Sequence, residues 1–491
     1  MQDASSWSSL PPPFIAEATE LTPDDANPAP SPNVLPAGHV SLPAGELLVI
    51  ASEYVEAGRI DAAERLADHI LRSIPGTGQA LQVKGLIAYK RGRHAEAAAL
   101  IEAGIAAGAA SYTDWRNLSE LYRLLMRLDE GLAAARKAIG LNAADPLNFF
   151  NLAMVLYERL DIDGSIGAAR TAIDLRPNLP EARMKLAQVL LAKGEFAEGW
   201  EQYEWRYKIP GAAPLMPPTD VAQWQGQRLA GPLLLIGDQG YGDVVQFMRY
   251  LPWVKTRTDA MVIATSTEMH EIVAQIAPDV TQYHKWEDIP PYAAFCPLSG
   301  LPRLHGTTLE TIPVQVPYLR ADPTLAASWK ARLDGRLPAG KLRVGIAWAG
   351  RPTHNNDLNR TTALENFRPF AEIPGVVLVS LQKGPGAVQA EGFPILNLDA
   401  EIQTFDDTLA IIDGLDLVLA VDTSIIHMAA AMGKPTWVML PFAPDFRWLL
   451  DRTDSPWYPT LRLFRHPAPR RWDILVPQVA EALAEFAGAR A

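Results

Sequence analysis

Apolar and polar positions follow two different periods along this chain. From about Leu47 apolar residues recur at helical spacing, and the pattern repeats itself. Turn positions fall at Gly58, Gly92, Met126, Leu160 and Gly194, each 34 residues after the last. Five positions beyond each comes a small residue: Ala63, Ala97, Gly131, Ser165 and Gly199. A small side chain at a fixed place lets two helices approach closely. Pro75, Pro146 and Pro180 are read as ends of the second helix in their units. The pattern predicts helix–turn–helix repeats over 45–208.

A proline-rich linker, 209–231, follows, and then the period changes. "PLLLIG" (232–237), "AMVIAT" (260–265) and "AAFCPL" (293–298) are short apolar runs between helical segments. A second series has "LRVGIAW" (342–348), "GVVLVSL" (375–381), "LDLVLAVD" (415–422) and "PTWVMLP" (435–441). Short buried strands alternating with helices predict parallel sheets covered on both faces. The expectation is two Rossmann-like halves, 232–322 and 341–491, joined by a connector at 323–340. Ligands of such sheets bind beyond the carboxyl ends of the strands.

Composition narrows the picture. Nine prolines fall within residues 1–44. That segment is read as a disordered tail, because it cannot bury enough apolar area to offset its ordering entropy. The net charge of −12 argues against a nucleic-acid binder. A single cysteine, Cys296, excludes an internal disulfide. No signal peptide and no apolar run of membrane-spanning length is seen, so a cytoplasmic protein without membrane insertion is expected. Zinc, serine-hydrolase and P-loop motifs do not occur, and no metal site is expected.

The candidate chemistry sits at strand ends. "LLLIGDQGYGDVVQF" (233–247) reads G-x-x-G-x-G and lacks the acidic partner of a dinucleotide site. Its glycines, Gly240 and Gly242 among them, would let a substrate approach the backbone closely. Asp243 opens the following helix, either capping it or serving as a general base. In "AWAGRPTHNNDLNRTT", Arg351, His354, Asp357 and Arg360 fall in a strand-end loop, where two arginines and a histidine point to an anionic ligand or to a solvated loop. Lys383 follows the next strand and would meet a phosphate as a point charge or be a plain turn lysine. After Asp422, Thr423 or Ser424 caps a helix whose first N–H groups suit a diphosphate. His427 is a ligand contact or a packed histidine. The segment 441–466 is aromatic and basic, with Arg447, Trp448, Trp457, Tyr458, Arg462 and Arg465 holding a base or sugar or anchoring a loop.

The 34-residue helix–turn–helix period resembles the tetratricopeptide repeat, which implies a concave surface for a protein or peptide; a spacer or dimerisation arm, hence a homodimer, stays open. The glycine–aspartate turn together with "DTSIIHMAAAMGKP" resembles heptosyltransferase-type glycosyltransferases of the GT-B fold. "DQGYGDVVQFMRYLP", "SLQKG", "PDFRWLL" and "SPWYPTLRLFR" are similar to bacterial tetratricopeptide-repeat glycosyltransferases, some of which modify flagellin. The architecture is also similar to that of O-GlcNAc transferase. The resemblance implies an inverting, metal-independent transferase, hexosyl- or nonulosonyl-type, using a nucleotide sugar as co-substrate and no cofactor. It implies Asp243 as the base. Asp422, Thr423, Ser424 and His427 would bind the donor and Lys383 its phosphate, with Gly240, Gly242, Gln246, Arg351, His354, Arg360 and Gln382 in the same binding set. Relatives have E-Q-G-x-G-D where this chain has Asp238, which leaves Asp238 the weaker candidate. The alternatives are a non-catalytic adaptor that senses a nucleotide sugar, and a transferase acting on a lipid-linked glycan.

Overall fold

The protein is described by a computed structural model covering residues 42–210, 216–352 and 356–490. Most of the expected tail, 1–41, lies outside the described residues. Ten helices come first. They are α1 (Ala44–Glu56), α2 (Ile60–Ser73), α3 (Gly78–Lys90), α4 (His94–Ala106), α5 (Tyr112–Leu124), α6 (Leu128–Leu141), α7 (Pro146–Glu158), α8 (Ile162–Leu175), α9 (Pro180–Lys193) and α10 (Phe196–Tyr203).

All five repeat turns are left-handed. Gly58, Gly92 and Gly194 have φ of 71°, 73° and 91°, and the non-glycine Met126 and Leu160 follow at 61° and 58°. The reversed residue lets the next N–H reach back to a helix carbonyl, as in Arg59 N–H to Tyr54 O (2.7 Å) and Arg93 N–H to Ala88 O (2.9 Å). Five residues on, the small positions are where helices touch. Ala63, Ala97 and Ser165 are fully buried. Ser165 Oγ donates to Ala153 O at 2.7 Å, and a Cβ at Gly131 would lie 3.3 Å from Ser119 O. Two of the prolines differ from expectation. Pro146 and Pro180 open α7 and α9, after α6 and α8 have ended at Leu141 and Leu175. The first helical position needs no N–H donor, and proline presets its φ.

The chain divides within α9, between Lys185 and Leu186, into two compact units. The second contains two parallel sheets. The first sheet is built from β1 (Leu233–Ile236), β2 (Met261–Ala264), β3 (Thr281–Tyr283) and β4 (Ala294–Pro297), in the order β3-β2-β1-β4. The second is built from β5 (Leu342–Ala347), β6 (Val376–Ser380), β7 (Leu417–Val421), β8 (Thr436–Leu440) and β9 (Leu461–Arg465), in the order β6-β5-β7-β8-β9. Leu235 pairs with Ile263 and Cys296, and Ile346 with Ser380 and Leu419. The central strands β1, β7 and β8 are buried at every position, which is why they read as unbroken apolar runs. The edge strands β3 and β9 have no counterpart among the predicted strands. β3 is three residues long and partly exposed, and the charges of β9 make it read as loop.

Helices α11 (Tyr241–Phe247), α12 (Leu251–Lys255), α13 (His270–Ile276) and α14 (Leu301–His305) accompany the first sheet. The 323–340 segment, expected as a connector, contains α15 (Pro323–Asp334). Then come α16 (Asp357–Arg360), α17 (Arg368–Ala371), α18 (Phe405–Asp413), α19 (Ser424–Ala431) and α20 (Trp472–Gly488). α15 packs on α18, with Trp329 Nε1 donating to Asp407 Oδ1 at 2.9 Å. The segment 216–231 is likewise tied down: Trp224 is fully buried and Gln223 forms a bridge to Phe295 in β4.

The last repeat helix belongs to this α/β unit. On α10, Trp200 meets Phe247 and Phe446 edge-on, at centroid distances of 6.3 and 5.7 Å. Phe196 stacks on Trp457 at 6.2 Å. The turn after α10 continues the contact, with Tyr207 OH donating to Asp238 Oδ2 at 2.5 Å.

Candidate functional site

A cavity of about 610 Å³ opens where carboxyl ends of strands from both sheets converge. β1 delivers Gly237 and, through the loop, Gly240, Gly242 and Asp243 at the start of α11. β2 delivers Thr265 and Ser266. β5 delivers Arg351, β6 Gln382 and Lys383, and β7 Asp422, Thr423 and Ser424. Parallel sheets leave their loops on one side, so residues far apart in sequence share one wall.

Asp243 does two things at once. Its Oδ2 accepts from the Gly240 N–H at 3.1 Å, so it closes the open start of α11. Its Oδ1 accepts from Arg447 Nη2 at 2.5 Å, across from the second half. Burial pushes its carboxyl up to about 6; Arg447 opposes that rise, and the carboxylates of Asp445, Asp238 and Asp422 add to it. A carboxyl poised there is ionised at neutral pH yet basic enough to take a proton.

Arg447, read from sequence only as part of the aromatic and basic stretch 441–466, lines this wall, as do Thr265 and Ser266, which the sequence-based set of site residues omitted. It lies in a 3₁₀ turn, Phe446–Trp448, entered through Asp445, whose Oδ1 accepts the Arg447 N–H at 3.1 Å. Its neighbour Trp448 donates from Nε1 to Asp422 Oδ2 at 2.9 Å, and burial raises the Asp422 carboxyl. Trp448 also stacks on His427, with ring centroids 5.5 Å apart. His427 Nδ1 is bonded to Tyr458 OH at 2.9 Å, and burial holds the ring well below its ordinary pKa and therefore neutral. The edge of that ring lies against Gly242: a Cβ there would sit 2.6 Å from His427 Cδ2. The glycine is needed for the close approach of α11 and α19.

The cations Lys383, Arg360 and Arg351 all line the cavity, each with a different partner. Lys383 is exposed and turned to Asp399, with Nζ donating to the Asp399 carbonyl at 2.5 Å and 3.2 Å from its carboxylate. Arg360 donates from Nη1 to the Asp422 carbonyl at 3.0 Å and packs over Gly350, so it shapes the loops. Arg351 faces the Tyr241 ring at 5.9 Å and leaves its charge on the cavity. Gln382 acts as a clamp: its Oε1 accepts from the N–H groups of Trp348 and Ala349 at 3.1 and 2.9 Å. Gln246 is fully buried in α11 and is not part of the cavity lining. His354 lies outside the described residues. Asp238 is not on the cavity; Arg206, Tyr207 and Ser299 surround it, which ties the turn after α10 to the first sheet.

On the lining, Thr265 Oγ1 and Thr423 Oγ1 are buried without a hydrogen-bond partner among the described residues. Their hydroxyls are open to hydrogen bonds from a molecule in the cavity. Among the described residues no cluster of His, Cys, Asp and Glu is arranged to hold a metal ion, and no helix is long and apolar enough to cross a membrane.

The chain is similar to known proteins in its repeats and, in one relative, over a longer span. The tetratricopeptide repeat family matches residues 48–112 and 150–211. Protein FlbA of Caulobacter vibrioides is 29% identical over 359 residues, 63% of this chain and 57% of that protein. The chain thus matches little more than half the length of that relative. Among solved structures, TTC0263, a thermophilic TPR protein of Thermus thermophilus, is 22% identical over 34% of this chain and 92% of its own, with a TM-score of 0.31. YrrB, a TPR protein with an unusual peptide-binding site, is 16% identical over 33% of this chain and 84% of its own, with a TM-score of 0.29. The chain carries tetratricopeptide repeats, followed by an α/β region of parallel sheets.

Proposed function

We propose that this protein is an inverting, metal-independent glycosyltransferase of GT-B type, moving a sugar from a nucleotide donor to a protein presented by the repeats. The observation that carries the reading is the cavity itself. A carboxyl raised to about 6 stands on one half, and the start of α19 with Arg351 on the other. In the reaction, Asp243 takes the proton of the acceptor hydroxyl as its oxygen bonds to the anomeric carbon. The bond from that carbon to the diphosphate breaks, and its electron pair leaves with the phosphate. Arg351, the N–H groups at the start of α19 and the Thr423 hydroxyl stabilise the charge that develops there. The glycines at 240 and 242 leave room for the acceptor.

The test is incubation of the full chain with a panel of nucleotide sugars and candidate acceptor proteins, read as sugar transfer. Asp243→Asn should lower turnover about 100-fold or more while donor binding persists. A fully active Asp243→Asn would overturn the role of Asp243. Binding of a nucleotide sugar with no transfer by the unaltered protein would favour the adaptor reading.

A further inference from the structure

We infer that Arg447 is a positioning residue that holds Asp243 ionised and aimed into the cavity, and that the strained turn after it exists to present its guanidinium. This deepens the glycosyltransferase reading and rests on it for its link to turnover. The geometry has three parts. Asp243 Oδ1 accepts from Arg447 Nη2 while Oδ2 accepts from the Gly240 N–H, so both oxygens are tethered and the carboxylate plane has a set orientation. Arg447 Nε lies 3.4 Å from Asp445 Oδ1, which steers the guanidinium from behind. The turn then ends at Leu449 with φ 53° and ψ −163°, a conformation that belongs almost wholly to glycine.

Such a backbone persists only where its surroundings over-determine it. Here Arg465 on β9 does so, donating to the carbonyls of Trp448 (2.6 Å), Leu449 (3.0 Å) and Arg452 (2.9 Å). The clamp fixes Trp448 on Asp422 and, one residue earlier, Arg447 on Asp243.

The groups facing Asp243 come from several elements, with the neutral His427 of α19 beside them. Arg447 and Asp445 come from the turn after β8, Asp238 from the loop after β1, Asp422 from the end of β7, and Tyr203 from α10. Three carboxylates and burial favour the protonated acid, and Arg447 is the cation that opposes them. Asp243 lies on the first half and Arg447 on the second, so the ionised base is assembled only while the halves keep this relation.

The experiment uses the full chain and Arg447→Met, with Arg447→Lys as a second variant that keeps a charge where methionine fails to fold. Asp243 titration is read from the pH dependence of the unfolding midpoint, taking unaltered protein minus Asp243→Asn and repeating the difference in each Arg447 background. Expected is a midpoint near 6 that moves up by about one to three units in Arg447→Met and by less in Arg447→Lys. The acid limb of kcat should move by the same amount. An unmoved titration overturns the proposal. A moved titration without any sugar transfer upholds Arg447's hold on Asp243 and removes the transferase reading, so the two failures are told apart.

Discussion

Asp243 closes the start of α11 and is the base in the proposed transfer. Its ordinary pKa is 3.8 and its folded value about 6, so the fold favours the protonated form. The stability this contributes is present below pH 3.8 and is lost as pH rises through about 6. Denaturant midpoints measured across that acid range and up to neutral pH should show the decline in the unaltered protein, and Asp243→Asn should flatten it. Trp448→Phe removes the donor to a buried carboxylate oxygen of Asp422. It should cost about 1–3 kcal/mol in urea unfolding. Gly242→Ala drives a methyl against the His427 ring, which Tyr458 and Trp448 hold on its other sides. Overpacking of about 1–3 kcal/mol is expected in urea unfolding and, under the proposed transfer, a fall in turnover. Asp243 was legible from its place after a strand. Arg447 was seen only as part of a basic aromatic stretch, because what singles it out is a partner 204 positions away.

At the scale of elements, the repeat turns separate backbone strain from packing. Gly92 is left-handed, and a Cβ there meets nothing within 4 Å. Gly92→Ala should therefore cost about 1–2 kcal/mol through conformation alone. Met126 adopts the same conformation at φ 61° and bears that penalty already, so Met126→Gly should be neutral or stabilising by thermal midpoint. Ala97→Leu should destabilise by about 1–3 kcal/mol, since Ala97 is fully buried between helices. These features were visible in sequence because a repeat writes the same constraint at each of its turns. The fully buried strands were visible because both faces need apolar side chains. β3 and β9 were hidden for the opposite reason: β3 is short and partly exposed, and β9 carries two arginines. The clamp of Gln382 on two N–H groups left no sequence pattern, since any loop contains such a residue.

At the scale of the whole chain, the boundary that matters is inside α9 and not in the proline-rich segment. α10 and the turn after it lie against α/β residues through Trp200, Phe196 and the Asp238 cluster. A chain beginning at Pro180 should fold and melt cooperatively by scanning calorimetry. A chain beginning after Lys208 exposes the surfaces of Phe247, Phe446 and Trp457, and should aggregate or melt at a lower temperature by scanning calorimetry. Tyr203, on the same helix, lies close enough to Asp243 to feel its charge. For anyone recombining such proteins, the grafting joint follows. Repeat arrays should be exchangeable upstream of Pro180 with the α/β unit left whole, whereas a splice in the proline-rich segment transplants α10, a packed piece of that unit, along with the arm.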